Sequence, residues 1–474
     1  MASQSLDKER HLKYWKRCFR SYLPSQYTSH DSSRMAIAFF IVAAHDLLSP
    51  PRSSGEPQQL TAEDRVNIRT WVLKLQHAAG GFCGSPTHAL PSHLCTRYDA
   101  TEGRWQGRNT GDANIAATYF ALLLLALASD EVKNGSPGAF AGVDRVATLR
   151  WLKKLQREDG SFGELVLDDG TIEGGRDMRL CYLACMIRWS LRGDIAEGEP
   201  GWVEDINVEQ LVSYIRRGQT YDGGMAESPG HESHAGYAYC AAGALYLLDR
   251  PSDSVDLHES ETVSRGIASR EGLLSFLVHR QFALLERGDG EGDDEDEDEE
   301  GPSLSLPQSL EALSLNDASC VGFNGRCNKV ADTCYCWWVG GALSMLPSAP
   351  AGLISTEPSR NFLFNKTQHL IGGFSKHPGG PPDVHHGYLG VAALATMGDP
   401  SLASFDPALC VSTETTSKIV TARTALLAAT KASAAWSAKS PSSEFWSGKQ
   451  AVWPRSAIDD EAQQRLAKAL ALLA

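Results

Sequence analysis

The sequence has no apolar run long enough to cross a bilayer. Its longest two, Ile115–Ala128 and Ala36–Ala44, fall short of the roughly 18 residues a spanning helix needs. The opening stretch MASQSLDKERHLKYWKRC has no apolar core of a secretory leader, so no leader and a cytosolic location are expected. Eleven cysteines are scattered without the regular spacing of a disulfide-stapled scaffold. Positive charge is scarce as well: 44 Lys and Arg face 58 Asp and Glu, a net charge of −14, the wrong sign for a dedicated nucleic-acid binder. Ten of those carboxylates crowd into Asp289–Glu300, a run that reads as a solvated, disordered insert. With 43 Gly and 22 Pro in no collagen-like period, what remains is a globular composition.

An internal repeat is the first positive signal, because self-similarity at a fixed period decides the architecture. WVLKLQ (71–76) leads to Gly80-Gly81-Phe82, and WLKKLQ (151–156) leads to Asp159-Gly160-Ser161-Phe162. LVSYIRR (211–217) leads to Asp222-Gly223-Gly224-Met225, and FLFNKTQ (362–368) leads to Gly372-Gly373-Phe374. LSFLVHRQ (274–281) reaches its Gly322-Phe323 only after a gap of about forty residues. Each turn is followed by a longer apolar helix: 112–128, 177–191, 233–248, 332–346 and 383–397, with Asp or Ser at each start as the expected N-cap. A sixth such helix, 32–48, stands in front without a turn of its own. Helices apolar almost all round are buried ones. The pattern therefore predicts an all-α protein, a six-hairpin α/α toroid with buried helices as an inner barrel and amphipathic helices as an outer wall. One barrel domain is expected over 1–433, interrupted by the acidic insert at about 282–318. An Ala/Ser-rich tail with a last helix, 459–473, is expected over 434–474.

The chemistry gathers in GRCNKVADTCYCWW (325–338). Asp332 and Cys334 stand at the start of one inner helix, and DVHH (383–386) places His386 in the first turn of the next. In a closed ring these starts share one mouth. Asp, Cys and His are zinc ligands, and three of them with an open fourth position mark a catalytic site. Arg326, Lys329 and Tyr335 flank the first pair, His234 starts another inner helix, and Lys376 lies ten residues before His386. Together with free helix N-termini they suit a dense anion. A greasy barrel with an anion pocket and a zinc at its rim suits an amphiphile that is apolar at one end and diphosphate at the other.

These stretches resemble the β subunits of protein prenyltransferases. RHLKYWKRC, SSRMAIAFF, DMRLCYLAC, YIRRGQTYDGGMAE, ESHAGYAYC, FNGRCNKVADTCY and GGFSKHPGGPPDVHHGYLG follow in family order from about Arg10 to Thr415, most like the type I geranylgeranyltransferase branch. The resemblance implies one zinc per β subunit, held by Asp332, Cys334 and His386, and a diphosphate held by His234, Arg326, Lys329, Tyr335 and Lys376. It also implies an α-subunit partner, geranylgeranyl diphosphate as donor, and acceptors ending in Cys-a-a-X with X mostly Leu, among them Rho-type small GTPases. Lys376 stands where the farnesyl and Rab-directed relatives carry Asp; an ammonium there takes over from magnesium, which is then not required. Ala36 and Leu389 replace a Trp and a Tyr of the farnesyl enzyme, leaving room for a further isoprene unit, whose burial is worth up to roughly 4 kcal/mol. Arg179 is assigned to the acceptor's terminal carboxylate. His385, where type I enzymes tend to carry Leu, borders the acceptor peptide and offers a second candidate imidazole, although register from Asp383 favours His386.

Alternatives remain open. A farnesyl or Rab-type β subunit would differ in donor and magnesium demand. A terpene cyclase shares Q-x-x-D-G-S-type turns such as Gln156–Phe162 but needs an acid motif missing from this mouth. A non-catalytic α/α-barrel binding module would have no use for three metal ligands.

Overall fold

A computed structural model describes residues 5–49, 58–85, 97–99, 104–106, 112–129, 138–167, 169–193, 195–199, 201–251, 259–283, 319–346, 349 and 352–439. The acidic run, the expected helix 459–473 and the rest of the tail beyond 439 lie outside the described residues.

Six long apolar helices form the inner layer: α2 (Arg34–Leu48), α4 (Ile115–Leu127), α6 (Met178–Leu191), α8 (Ala235–Asp249), α11 (Thr333–Ser344) and α13 (Val384–Thr396). Each packs against the next in chain order, and α13 packs back on α2, so the ring closes. In α4 the run Ala121–Leu127 is at most 1% exposed; hydrophobic burial of this kind is worth roughly 1.5–3 kcal/mol per large side chain. The outer layer comprises α1 (Lys8–Arg20), α3 (Ala62–Lys74), α5 (Arg145–Lys154), α7 (Val208–Arg217), the short α9 (Glu261–Gly266), α10 (Arg270–Val278) and α12 (Thr356–Phe362), which continues as a π-helical turn over Leu363–Thr367. The last helix among the described residues, α14 (Thr413–Lys439), runs without a break through position 433.

The repeated turn has one geometry. Gln76 bridges Phe82, Gln156 bridges Phe162, Gln219 bridges Met225 and Gln368 bridges Phe374. In the fourth copy Gln281 pairs with Phe323 in an antiparallel hairpin of Gln281–Ala283 with Val321–Phe323, so the long insertion departs from the end of this hairpin. The turns also stitch the outer wall. Gly160, at φ +93°, leaves no room for a Cβ, which would fall 2.2 Å from the Gln210 carbonyl oxygen of α7. Gly372 (φ +89°) stands in the same way against the Arg10 carbonyl of α1, which closes the outer layer; only glycine adopts this conformation without strain.

Two helix starts differ from expectation. The inner helix α4 begins at Ile115, capped by Asn114 accepting from the Ala117 N–H, and not at Asp112. On α8 the cap is His234, through Nδ1, because the hydroxyl of Ser233 is engaged with Asp222 at 2.5 Å. The front helix is preceded by Ser33, which makes no side-chain capping bond.

One feature of the barrel has no counterpart in the repeat. Phe405–Asp406 pairs with Val411–Ser412, and the segment leading into this hairpin is tied to the C-terminal end of α2 by the Ala403 N–H on the Leu47 carbonyl. The loop between the strands is buried at Ala408, Leu409 and Cys410 and reaches the inner helices. Tyr239 donates to the Pro407 carbonyl (2.7 Å), Tyr182 to Ala408 (2.8 Å) and Tyr388 to Cys410 (2.5 Å). A fully buried Arg250–Asp406 ion pair at 2.6 Å anchors the loop to the end of α8. That end of the barrel is plugged, and the functional groups must be reached from the end where the inner helices begin.

Candidate active site

At the open end, α11 and α13 start side by side. Asp332 caps α11, its Oδ1 accepting the Cys334 N–H at 2.8 Å. Asp383 caps α13, its Oδ1 accepting the N–H groups of His385 and His386, both at 2.9 Å. The N–H of Val384 donates to Tyr27 Oη at 3.1 Å, so the segment before α2 also braces this helix start. The turn carrying Lys376 is tied to α11, because the Thr333 N–H donates to the Lys376 carbonyl at 3.0 Å.

His386 lies between two carboxylates. Its Nδ1 is 2.6 Å from Asp383 Oδ2 and its Nε2 is 3.3 Å from Asp332 Oδ1. A carboxylate on one ring nitrogen fixes the tautomer and aims the other nitrogen, the usual support of a metal-ligating histidine. Burial works against charge on this imidazole, yet hydrogen bonds to Asp332 and Asp383 raise its pKa to about 9. Burial opposes the charge of Asp332 too, but bonds from His386 and Cys334 keep its pKa below the usual carboxylate value. The Cys334 thiol, 5% exposed, is pushed well up by burial and then by the Asp332 charge. A thiol so placed ionises only if a cation arrives.

Ligand atoms of Cys334, His385 and His386 all lie within 4.8 Å of one another, the one such cluster among the described residues. Of the expected residues the structure brings Cys334 and His386 into this cluster and adds His385 to them, while Asp332 lies at its edge, its Oδ1 3.3 Å from His386 Nε2. One sulfur, two imidazole nitrogens and a carboxylate oxygen on rigid helix starts form a donor set that fits zinc; sulfur in the set disfavours magnesium or calcium. Burial, then the neighbouring His386, lowers the pKa of His385 to about 4, so its ring is neutral near pH 7.

A second cluster lies between the starts of α8 and α11. His234 Nδ1 accepts the Gly236 N–H at 3.0 Å and its Nε2 is 3.0 Å from Tyr335 Oη. Because Nδ1 is an acceptor, the neutral ring carries its proton on Nε2 and donates it to the phenol, leaving the Tyr335 O–H free for an anion. Burial and then the Arg326 charge lower the pKa of His234 to about 4, and burial raises that of Tyr335. A Cβ on Gly325 would stand 2.4 Å from the Tyr335 ring, so the glycine makes the space this phenol occupies. Arg326 pairs with Glu232, and Lys329 and Lys376 are exposed.

The remaining expected residues are placed as follows. Arg179 is held by Asp177, with Nε 2.8 Å from Oδ2, and lies 5.9 Å over the ring of Tyr237, which itself neighbours His234. This ion pair competes with the expected role, and a terminal carboxylate would have to share or displace it. Ala36 is half-buried in the first turn of α2, and Leu389 is 2% exposed on α13. An aromatic wall stands beside them: Phe40 meets the His385 ring edge-on at 5.2 Å, and Phe39 meets Phe120 at 5.1 Å and Tyr388 at 5.6 Å. No described helix is long and apolar enough to cross a membrane.

Comparison with known proteins agrees with this geometry. Residues 6–411 match the profile of the prenyltransferase alpha-alpha toroid domain. The chain is 28% identical over 415 residues to the geranylgeranyl transferase type-1 subunit beta of Arabidopsis thaliana, covering 86% of this chain and 89% of that one. It is 26% identical to the corresponding subunit of Dictyostelium discoideum, with 86% and 95% covered. To the farnesyltransferase subunit beta of Pyricularia oryzae it is 25% identical, over 82% of this chain and 63% of that protein. Candida albicans protein geranylgeranyltransferase-I, solved in complex with GGPP, shares the fold at a TM-score of 0.62, with 24% identity and 88% and 98% of the two chains covered.

Proposed function

This chain belongs to the prenyltransferase α/α-toroid family as a member of its β subunits, and we propose that it is the catalytic β subunit of a type I protein geranylgeranyltransferase. The observation that carries the reading is the approach of Asp332, Cys334 and His386 from two successive inner helices, beside a pair that Tyr335 of α11 forms with His234 at the start of α8.

Asp332, Cys334 and His386 would hold one zinc, which when bound supplies the positive charge that keeps an acceptor cysteine deprotonated at neutral pH. The donor, geranylgeranyl diphosphate, lies with its chain in the barrel and its diphosphate toward His234, Arg326, Lys329, Tyr335 and Lys376. Sulfur forms a bond to C1 of the donor as the bond from C1 to the bridging oxygen breaks, and the electron pair leaves with the diphosphate. The Tyr335 hydroxyl and the three cationic side chains meet the charge that develops there. The Lys376 ammonium stands in for magnesium. Acceptors are proteins ending in Cys-a-a-X, mostly with Leu last, such as Rho-type small GTPases, and an α subunit completes the heterodimer. Arg179, Ala36, Leu389 and His385 border the peptide and lipid. The barrel domain is placed at 1–433 and the tail at 434–474.

Type I is favoured over the farnesyl type by Lys376 and by the small Ala36 and Leu389; the two type-1 relatives in the comparison support the same choice. The test is co-expression with an α partner, followed by transfer of labelled geranylgeranyl or farnesyl to peptides ending in Leu, Ser or Met. Preferential transfer of geranylgeranyl to the Leu peptide, without added magnesium, is expected. Preferential farnesyl transfer, or strict dependence on magnesium, overturns the subtype, and a protein that is active without any bound metal overturns the site.

A further inference from the structure

We infer that His385 is a fourth protein ligand of the resting metal, so that the site is closed until an acceptor sulfur takes the place of this imidazole. The inference rests on the zinc reading above and deepens it.

Geometry is the first ground. Two donors on one tetrahedral zinc, each about 2.0–2.3 Å from the metal, stand roughly 3.3–3.8 Å apart. The donor atoms of Cys334, His385 and His386 already lie within 4.8 Å of one another, so side-chain movements of about an ångström bring them onto one ion. The two imidazoles are consecutive yet nearly perpendicular, with centroids 5.0 Å apart and planes at 86°, so each can face a common centre without stacking on the other. With Asp332 beside His386 Nε2, the count of protein ligands reaches four. Four is the number of a closed site, whereas a catalytic zinc keeps one position open.

Restraint decides which of the four gives way. Asp383 grips His386 through Nδ1 at 2.6 Å. Asp332 is held by the Cys334 N–H and touches His386. The thiol of Cys334 is buried in the first turn of α11. Neither ring nitrogen of His385 makes a hydrogen bond among the described residues; its ring is positioned by the edge of Phe40 at 5.2 Å. Least restrained and half-buried, His385 is the ligand an incoming sulfur can replace with least disturbance. Ligand number at the metal then stays at four: the acceptor sulfur is bound as the imidazole nitrogen is released, with no change of oxidation state.

X-ray absorption at the zinc edge, on the full chain co-purified with its α partner, reads the number of imidazoles directly. Two are expected in the resting complex and one after a peptide ending in Cys-a-a-Leu is added; the same peptide with serine for cysteine leaves two. In parallel, zinc affinity is measured by chelator competition on the wild type, His385→Leu and Cys334→Ala. His385→Leu is expected to weaken zinc by about tenfold or more, the loss associated with removing even an outer-shell partner of a metal ligand. A single imidazole in the resting wild type overturns the inference whatever the variants do. Zinc lost in Cys334→Ala but held with unchanged affinity in His385→Leu overturns the inference and leaves the zinc reading standing. Zinc held equally by Cys334→Ala overturns both.

Discussion

In the proposed zinc site, the protonation state of the metal-free residues is expected to make zinc binding steeply dependent on pH. His386, between Asp332 and Asp383, has a pKa of about 9, and Cys334 titrates above its ordinary value. Both carboxylates are held below theirs, and His385 is neutral above about 4. Between pH 7 and 8.5, zinc must therefore displace two protons, one from the His386 ring and one from the thiol. Apparent affinity then rises about a hundredfold per pH unit, or ~2.7 kcal/mol per unit. A histidine with an ordinary pKa near 6.5 would already be neutral at pH 8, and the slope there would be about tenfold. Asp383→Asn separates the cases: loss of the carboxylate at Nδ1 lowers the His386 pKa and brings the slope at pH 8 toward tenfold, with an overall weakening of about 10- to 100-fold. The assay is chelator competition for zinc at half-unit pH steps, with calorimetry in two buffers of different protonation enthalpy to count released protons. A wild-type slope near tenfold at pH 8, or a slope unchanged in Asp383→Asn, refutes the reasoning. Because the His386 pKa is raised above its unfolded value, its contribution to stability of the metal-free protein is present below about pH 6.5 and is lost as pH rises through about 9.

Three further outcomes are expected. Lys376→Asp should make transfer depend on magnesium, read as activity against magnesium concentration; indifference to the ion would count against a stand-in ammonium. Gly160→Ala should lower unfolding stability by about 2 kcal/mol or more, since a Cβ at φ +93° would meet the Gln210 carbonyl oxygen at 2.2 Å and left-handed strain alone costs about 1–3 kcal/mol; a denaturant midpoint unchanged from wild type would show that the turn yields. Leu389→Tyr should shift preference from geranylgeranyl toward farnesyl, by at most the roughly 4 kcal/mol that one isoprene unit can contribute; competition between the two labelled donors reads the ratio, and an unaltered ratio would make Leu389 a packing residue only.

Much of this protein was legible from residue order because the relevant physics is local. Helix periodicity, small polar residues at helix starts and the recurring Gln, Gly and Phe of the turns are set within a dozen residues, and they specified six inner helices and five turns. The positions of Asp332, Cys334 and His386 at helix starts were legible for the same reason. Two caps were not: Asn114 and His234 displace the expected Asp112 and Ser233, because a competing partner such as Asp222 for Ser233 becomes visible only when the chain is folded.

Only the closed ring decided the rest. The fit of α13 against α2, the carboxylate of Asp383 gripping His386 while capping its own helix, and the approach of His385 to Cys334 all depend on how adjacent helices are angled. The plug at 405–412 is held by tyrosines from three separate inner helices, partners more than twenty residues away in every case. Such contacts arise from packing curvature, which no short stretch of sequence contains.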